Sequence, residues 1–165
     1  MDVTGDELAG VVDLFGALTR AELREALAEL AFKAGEDHDH AAFEGDVEDA
    51  CRSYHLVAVD ADAVAEPVET DADGDVIVPG PIAFPTLPEG ATDLPHILDV
   101  EERTVDRDVA GRAAEARFRA DAASAIEAGD HDRIAELLDV SYELEVWGPV
   151  DLASARSRLD DAVEE

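Results

Sequence analysis

The stretch VTGDELAGVVDLFGALTRAELREALAELAFK, residues 3–33, contains two helix starts of the same kind. In each, a threonine lies three residues before a glutamate, and such pairs cap helix N-termini by exchanging hydrogen bonds. The two pairs are Thr4 with Glu7 and Thr19 with Glu22. Gly16 stands where the first helix should end, because glycine readily adopts the left-handed conformation of a helix C-terminus. The stretch therefore predicts helices near 5–16 and 19–34.

A third helix and a hairpin are expected next. Apolar residues recur at helical spacing over 41–54, and short β-branched runs at 56–59 and 75–78 predict two strands. Asp73 and Gly74 supply a turn signal before the second strand. Three helices followed by a two-stranded hairpin is the order of a winged helix-turn-helix domain. Residues 1–78 resemble that architecture, with an unusually long wing loop.

Residues 79–99 are rich in proline, which fixes extended backbone and removes hydrogen-bond donors. We expect a stiff strap over the core with its apolar side chains turned inward. These are Ile82, Phe84, Leu87 and Leu94. The alternative is a docking segment, since Pro85 and Pro88 form a PxxP pattern.

Residues 100–165 are predicted to be mostly helical and to pack on the first half as one compact unit. A long helix should present a narrow stripe of small residues: Val105, Val109, Ala113, Ala116, Ala120 and Ala123. Asp130 and Asp151 are expected to begin two further helices. Val140 to Trp147 alternates in a way that fits either a strand or a helix. The expected fold class is mainly α (α+β), a winged-helix-like trihelical half with a small β-hairpin and a helical C-terminal half.

The charge balance excludes several classes of protein. Aspartate and glutamate number 42 against 12 lysine and arginine residues, a formal net charge of −30. A basic nucleic-acid binder is disfavoured, because phosphate contacts need a positive surface. The single cysteine, Cys51, excludes a disulfide scaffold and a four-cysteine zinc site. Since the acidity is spread along the chain, it favours adaptation to concentrated salt over a nucleic-acid mimic or a cation buffer.

We expect a cytoplasmic protein. The first residues, MDVTGDELAG, lack the basic and apolar regions of a signal peptide. The longest uncharged stretch, residues 76–88, is too short and too rich in proline to span a bilayer.

No catalytic motif is visible, and we expect no catalytic residue and no cofactor. His38 and His40 are weak candidates for metal ligands, because two histidines two residues apart can share a metal from an extended segment. A metal-dependent enzyme using them is one alternative function. The other interpretation is a polar loop between the second and third helices.

Residues 103–119 carry five arginines against three acids, unlike the rest of the chain. We predict that Arg103, Arg107 and Arg117 lie on one side of a helix with Phe118 close by. These four residues would bind a partner, either an acidic protein or a nucleic-acid backbone. The alternative is ion pairing within the helix.

The leading functional hypothesis is a non-enzymatic protein-interaction or regulatory module whose partner is another protein, with no membrane contact. A DNA-associated transcriptional regulator of winged-helix type is the alternative. It is disfavoured because the third helix carries four acids against Arg52 alone. The oligomeric state does not follow from the sequence.

Three segments carry a resemblance at the level of sequence: DELAGVVDLFGALTRAELREALAELAFKAG (6–35), VPGPIAFPTLPEG (78–90) and LPHILDVE (94–101). With this composition, the chain resembles a haloarchaeal family of small, acidic, uncharacterised proteins over essentially its full length. The resemblance implies a haloarchaeal cytosolic origin. It brings no activity, cofactor or catalytic residue with it.

Overall fold

The computed structural model describes residues 3–36, 40–70 and 74–164. Its internal contacts divide the chain into two compact units, Met1–Asp106 and Arg107–Glu165. Residues 79–99, the proline-rich strap, belong to the first unit.

Three helices open the first unit: α1 (Gly5–Asp13), α2 (Arg20–Lys33) and α3 (His40–Arg52). Both predicted capping boxes are present at the starts of α1 and α2. The Thr4 and Thr19 hydroxyls each accept a backbone hydrogen bond at 3.1 Å from the glutamate three residues on. Local capping chemistry therefore places the first two helices where the sequence predicts them.

The first unit also holds a three-stranded antiparallel sheet. Its strands are β1 (Leu18–Thr19), β2 (Leu56–Asp60) and β3 (Asp75–Pro79), in the spatial order β1-β3-β2. The predicted hairpin is confirmed, with β2 and β3 paired along their whole length. Strand β1 was not expected. It is two residues long, too short for a period-two pattern to show in the sequence.

The core of the first unit is built from the helices and the sheet. Its largest fully buried side chains include Leu8, Phe15, Leu18, Leu23, Leu27, Tyr54, Leu56, Ile77 and Leu94. Burial removes these large apolar side chains from water, and this hydrophobic effect is the main contribution to the stability of the unit.

The strap differs from expectation in which side chains it buries. Leu94 is buried at the start of a short helix, α4 (Leu94–Leu98), as predicted. Phe84 and Leu87, however, are 80% and 45% exposed, so the expectation that they turn inward is wrong. The strap is held here by its backbone, because the N–H groups of Phe84 and Thr86 donate to Asp6 at 2.9 and 3.0 Å. That attachment leaves the neighbouring side chains free to face solvent.

The second unit consists of α5 (Arg107–Ala128), α6 (His131–Trp147) and α7 (Ala153–Val163). The ambiguous residues 140–147 are the last turns of α6 and not a strand. The predicted stripe on α5 is wrong, since the helix buries the adjacent face. The buried residues are Ala110, Gly111, Ala114, Phe118, Ala122 and Ala125. Alanine occurs on every side of α5, so the position of bulky Phe118 decides which face turns inward.

Among the described residues, no helix combines the length and the apolar character that crossing a membrane requires.

Candidate interaction surfaces

The predicted arginine patch does not form on one helix. Arg103 precedes α5 and belongs to the first unit, whereas Arg107 and Arg117 lie on α5 in the second. The Arg103 guanidinium donates to both carboxylate oxygens of Glu22, at 2.6 and 2.9 Å, and to the Ala17 carbonyl at 3.0 Å. Its side chain is only 12% exposed. Arg103 therefore fastens the segment before α5 to the start of α2.

Glu22 responds to this neighbour. Burial opposes ionisation of its carboxyl group, but the hydrogen bonds from Arg103 and Thr19 outweigh that effect and hold the pKa of Glu22 below its ordinary value. The pair is thus a fixed, ionised contact inside the first unit.

The other three predicted residues also have internal contacts. The Arg107 guanidinium stacks 4.6 Å from the ring centroid of Trp147 and donates to that residue's carbonyl at 3.2 Å. Arg117 pairs with Asp121 at 3.0 Å on the same helix. Phe118 is completely buried on the inward face of α5. That these residues bind a partner stays a prediction.

The two candidate metal ligands are His38 and His40. His38 lies outside the described residues, and His40 begins α3 with an undescribed side chain. Within 3–36, 40–70 and 74–164, no group of three or more histidine, cysteine, aspartate or glutamate side chains could hold a metal ion. The two-histidine hypothesis stays a prediction.

The α2–α3 face is formed by Arg20 and Arg24 of α2 with Glu44 and Glu48 of α3. Arg20 contacts Glu48 at 2.7 Å and Arg24 contacts Glu44 at 3.2 Å. Both glutamates remain more than 60% exposed, so solvent and partners can reach them. The carboxylates of this face are therefore exposed to solvent, and its two arginines are paired with those carboxylates.

A serine, a histidine and an aspartate also meet in the first unit. The Ser53 hydroxyl lies 2.6 Å from Nδ1 of His55, whose Nε2 lies 3.6 Å from Asp6. The hydroxyl donates to the Ala50 carbonyl at 3.2 Å, and 3.6 Å is too long for the hydrogen bond that orients a catalytic histidine. The contact between Ser53 and His55 lies at the turn between α3 and β2, and the contact of His55 with Asp6 joins that turn to α1.

The comparison with known protein families supplies an identity without an activity. A family model described as "Family of unknown function (DUF7109)" matches residues 6–164. The chain belongs to the DUF7109 family. No curated protein and no solved structure gives a significant match to this DUF7109 chain.

Sequence reasoning missed a buried arginine in the second unit of the DUF7109 chain that makes two ion pairs. The Arg133 side chain is 7% exposed and contacts Glu136 at 2.8 Å and Asp121 at 3.2 Å. The i, i+3 spacing to Glu136 is a usable signal on a helix. The contact with Asp121 joins α6 to α5, and no local pattern could have indicated it.

Proposed function

We propose that the first unit is a winged-helix-like module that contacts another protein through the α2–α3 face. The order α1, β1, α2, α3, β2, β3 and the sheet order β1-β3-β2 support the architecture. In helix-turn-helix domains the second helix of the motif enters the major groove of DNA. Helix α3 occupies the corresponding place in this chain.

The charge of α3 is the observation that supports a protein partner over DNA. Its exposed positions carry Glu44, Glu48 and Asp49 against Arg52, and Arg20 and Arg24 are already engaged by two of these carboxylates. DNA phosphates would be repelled by this face, since affinity for DNA comes largely from cations that neutralise phosphates. Carboxylates at the rim of a surface instead attract lysine and arginine side chains of another protein.

We infer further that the chain works in a cytoplasm of concentrated salt. The net charge of −30 on 165 residues supports this inference, because concentrated salt screens the repulsion between surface charges. A haloarchaeal source fits this composition.

The test is a charge reversal, Glu44→Lys with Glu48→Lys, in the full-length chain. The tagged protein is crosslinked in its native cells, purified, and its partners are identified by mass spectrometry. We expect a protein that the wild type captures and the variant loses. The matched control is Asp160→Lys with Asp161→Lys, which changes the charge equally at exposed positions of α7 and should retain the partner.

A second measurement addresses DNA directly. Fluorescence anisotropy with a labelled mixed-sequence duplex should show no binding by the wild type. Duplex binding by the wild type that weakens with salt and is lost in Arg20→Glu would overturn the proposal in favour of the DNA-associated regulator. Loss of the captured protein in both double variants would also overturn it, because the contact would then depend on net charge and not on the α2–α3 face.

A further inference from the structure

The second unit carries an apolar groove between α5 and α7, which we call the α5–α7 groove. Its volume is about 330 Å³. The apolar lining comes from Ala122, Ala123 and Ile126 of α5 and Ala155 of α7. These are mostly small side chains, and they leave space that a bulky apolar side chain from another molecule could occupy.

Two arginines line the same groove, one from each helix: Arg119 and Arg158. Arg158 is exposed and has no hydrogen-bond or ion-pair partner in the part of the chain that the structure describes. Arg119 is 44% exposed and makes only long contacts, at 3.3 Å to Glu115 and to the Asp151 carbonyl. By contrast, Arg103 and Arg156 are held by carboxylates at 2.6 Å.

An available arginine is informative in this chain because acids outnumber bases by 42 to 12. Carboxylates of the same chain are plentiful enough to pair with most cations. Two guanidinium groups nevertheless line one apolar groove, and they make few or only long contacts with carboxylates. Guanidinium groups bind carboxylates with good geometry, and apolar contact beside them adds area-dependent affinity. The groove is therefore complementary to a ligand that is both acidic and apolar.

We propose that the α5–α7 groove docks an acidic amphipathic helix of another protein. A bulky apolar side chain of that helix fills the space over the alanines, and its neighbouring carboxylates pair with Arg119 and Arg158. Glu127 also lines the groove and repels acidic groups from its own position. This repulsion sets the orientation, with the carboxylates of the ligand directed to the arginines.

Two other occupants share part of this chemistry. A small amphiphile with one carboxylate would be covered poorly, because Ala123, Glu127 and Arg158 are exposed and small-molecule sites enclose most of their ligand. A second copy of this chain would bring a net charge of −30, far more than the few carboxylates of one helix, so the repulsion would be much larger. The helix of another protein is favoured, and the groove is distinct from the α2–α3 face, so either proposal can fail alone.

The experiment uses the full chain and a fluorescein-labelled peptide of about 14 residues, four helical turns. Leucine and phenylalanine lie on one face of this peptide and glutamates flank them. Anisotropy in about 1 M KCl, which screens the repulsion between the acidic chain and the acidic peptide, should show saturable binding. A peptide with lysine in place of glutamate, and one with serine in place of leucine and phenylalanine, should not displace the labelled acidic peptide.

Two variants locate the peptide on the chain. Arg158→Glu should weaken binding at least about tenfold, which is a loss of about 1.4 kcal/mol. Ala123→Tyr, which fills the groove from an exposed position, should weaken binding comparably. The control is Arg112→Glu, an equal charge change at another exposed and unpaired arginine of α5, and it should stay within about twofold of wild type.

Four results would overturn the proposal. They are no binding of the acidic peptide, equal losses in Arg158→Glu and Arg112→Glu, displacement of the peptide by dodecanoate with dodecanoate binding more tightly, and a dimer of the free chain that Arg158→Glu dissociates. The last two would assign the groove to a small amphiphile and to a second copy. The capture experiment on the α2–α3 face is unaffected by any of the four.

Discussion

Glu22 makes two contacts of different origin. One is with a neighbour in the sequence, and the other is with a distant residue that the fold brings close. Glu22 completes the capping box of α2 by accepting from the Thr19 N–H at 2.9 Å, and its two carboxylate oxygens accept from Nη1 and Nη2 of Arg103. The first contact is visible in the sequence, because capping boxes have a fixed spacing. The second joins residues 81 positions apart, and no spacing rule predicts it.

Glu22→Gln separates the two contacts, since glutamine can complete a capping box but lacks the charge. At neutral pH we expect the variant to lose about 1 to 2 kcal/mol of unfolding free energy, because a charged hydrogen-bonded pair becomes a neutral one. The pKa of Glu22 is lowered in the folded state. Its contribution is therefore present above the unfolded pKa, about 4.3, and is lost as pH falls through the folded pKa.

Urea unfolding of wild type and variant across that pH range measures this effect. The difference between the two proteins should be greatest near pH 7 and close to zero in strong acid. Glu48→Gln is the control, because its pair with Arg20 is exposed and should contribute little. A difference that stayed constant with pH would mean that the ionised pair is not its source.

At the scale of elements, capping and periodicity predicted α1 to α3 and the hairpin well, because those signals are local. The inward face of α5 was predicted incorrectly, since alanines around the helix gave several equivalent stripes and the predicted stripe left out Phe118. The apolar pattern of residues 140–147 fits a strand and a helix equally. Only their continuity with the rest of α6 shows that they are helical. The groove of the second unit needs two helices, so no single stretch of sequence could indicate it.

Helix α1 packs closely on the strap through a glycine. A β-carbon at Gly10 would collide with the backbone carbonyl of Thr86, whereas a β-carbon at Gly45 of α3 would meet nothing within 4 Å. Gly10→Ala should therefore destabilise the protein by about 1 to 3 kcal/mol through overpacking. Gly45→Ala should stabilise it by about 0.5 to 1 kcal/mol, since alanine is the better helix former.

Thermal unfolding of the two alanine variants measures both the predicted loss and the predicted gain in stability. The pair is well matched, because each substitution adds one methyl group to a helix of the first unit. If Gly10→Ala matched or exceeded wild type in stability, the strap would not lie against α1 as described.

For the whole molecule the dominant quantity is the net charge of −30. Surface ion pairs such as Arg20 with Glu48 are few against such an excess, and each contributes little. Repulsion among the remaining carboxylates acts over the Debye length, about 10 Å at 0.1 M salt and about 3 Å at 1 M. Folding brings these charges together, so dilute salt should destabilise the compact state more than the unfolded chain.

We therefore predict that raising KCl from 0.1 to 1 M increases the unfolding free energy by at least about 1 kcal/mol, measured by urea titration. Screening depends on ionic strength and not on the ion, so NaCl and KCl should give the same curve. The gain should also level off near 1 M, because the Debye length changes little beyond it. A linear rise to several molar, or a difference between the two cations, would instead indicate ion exclusion or cation binding. Stability that is independent of salt would remove the physical basis for a salt-rich cytoplasm.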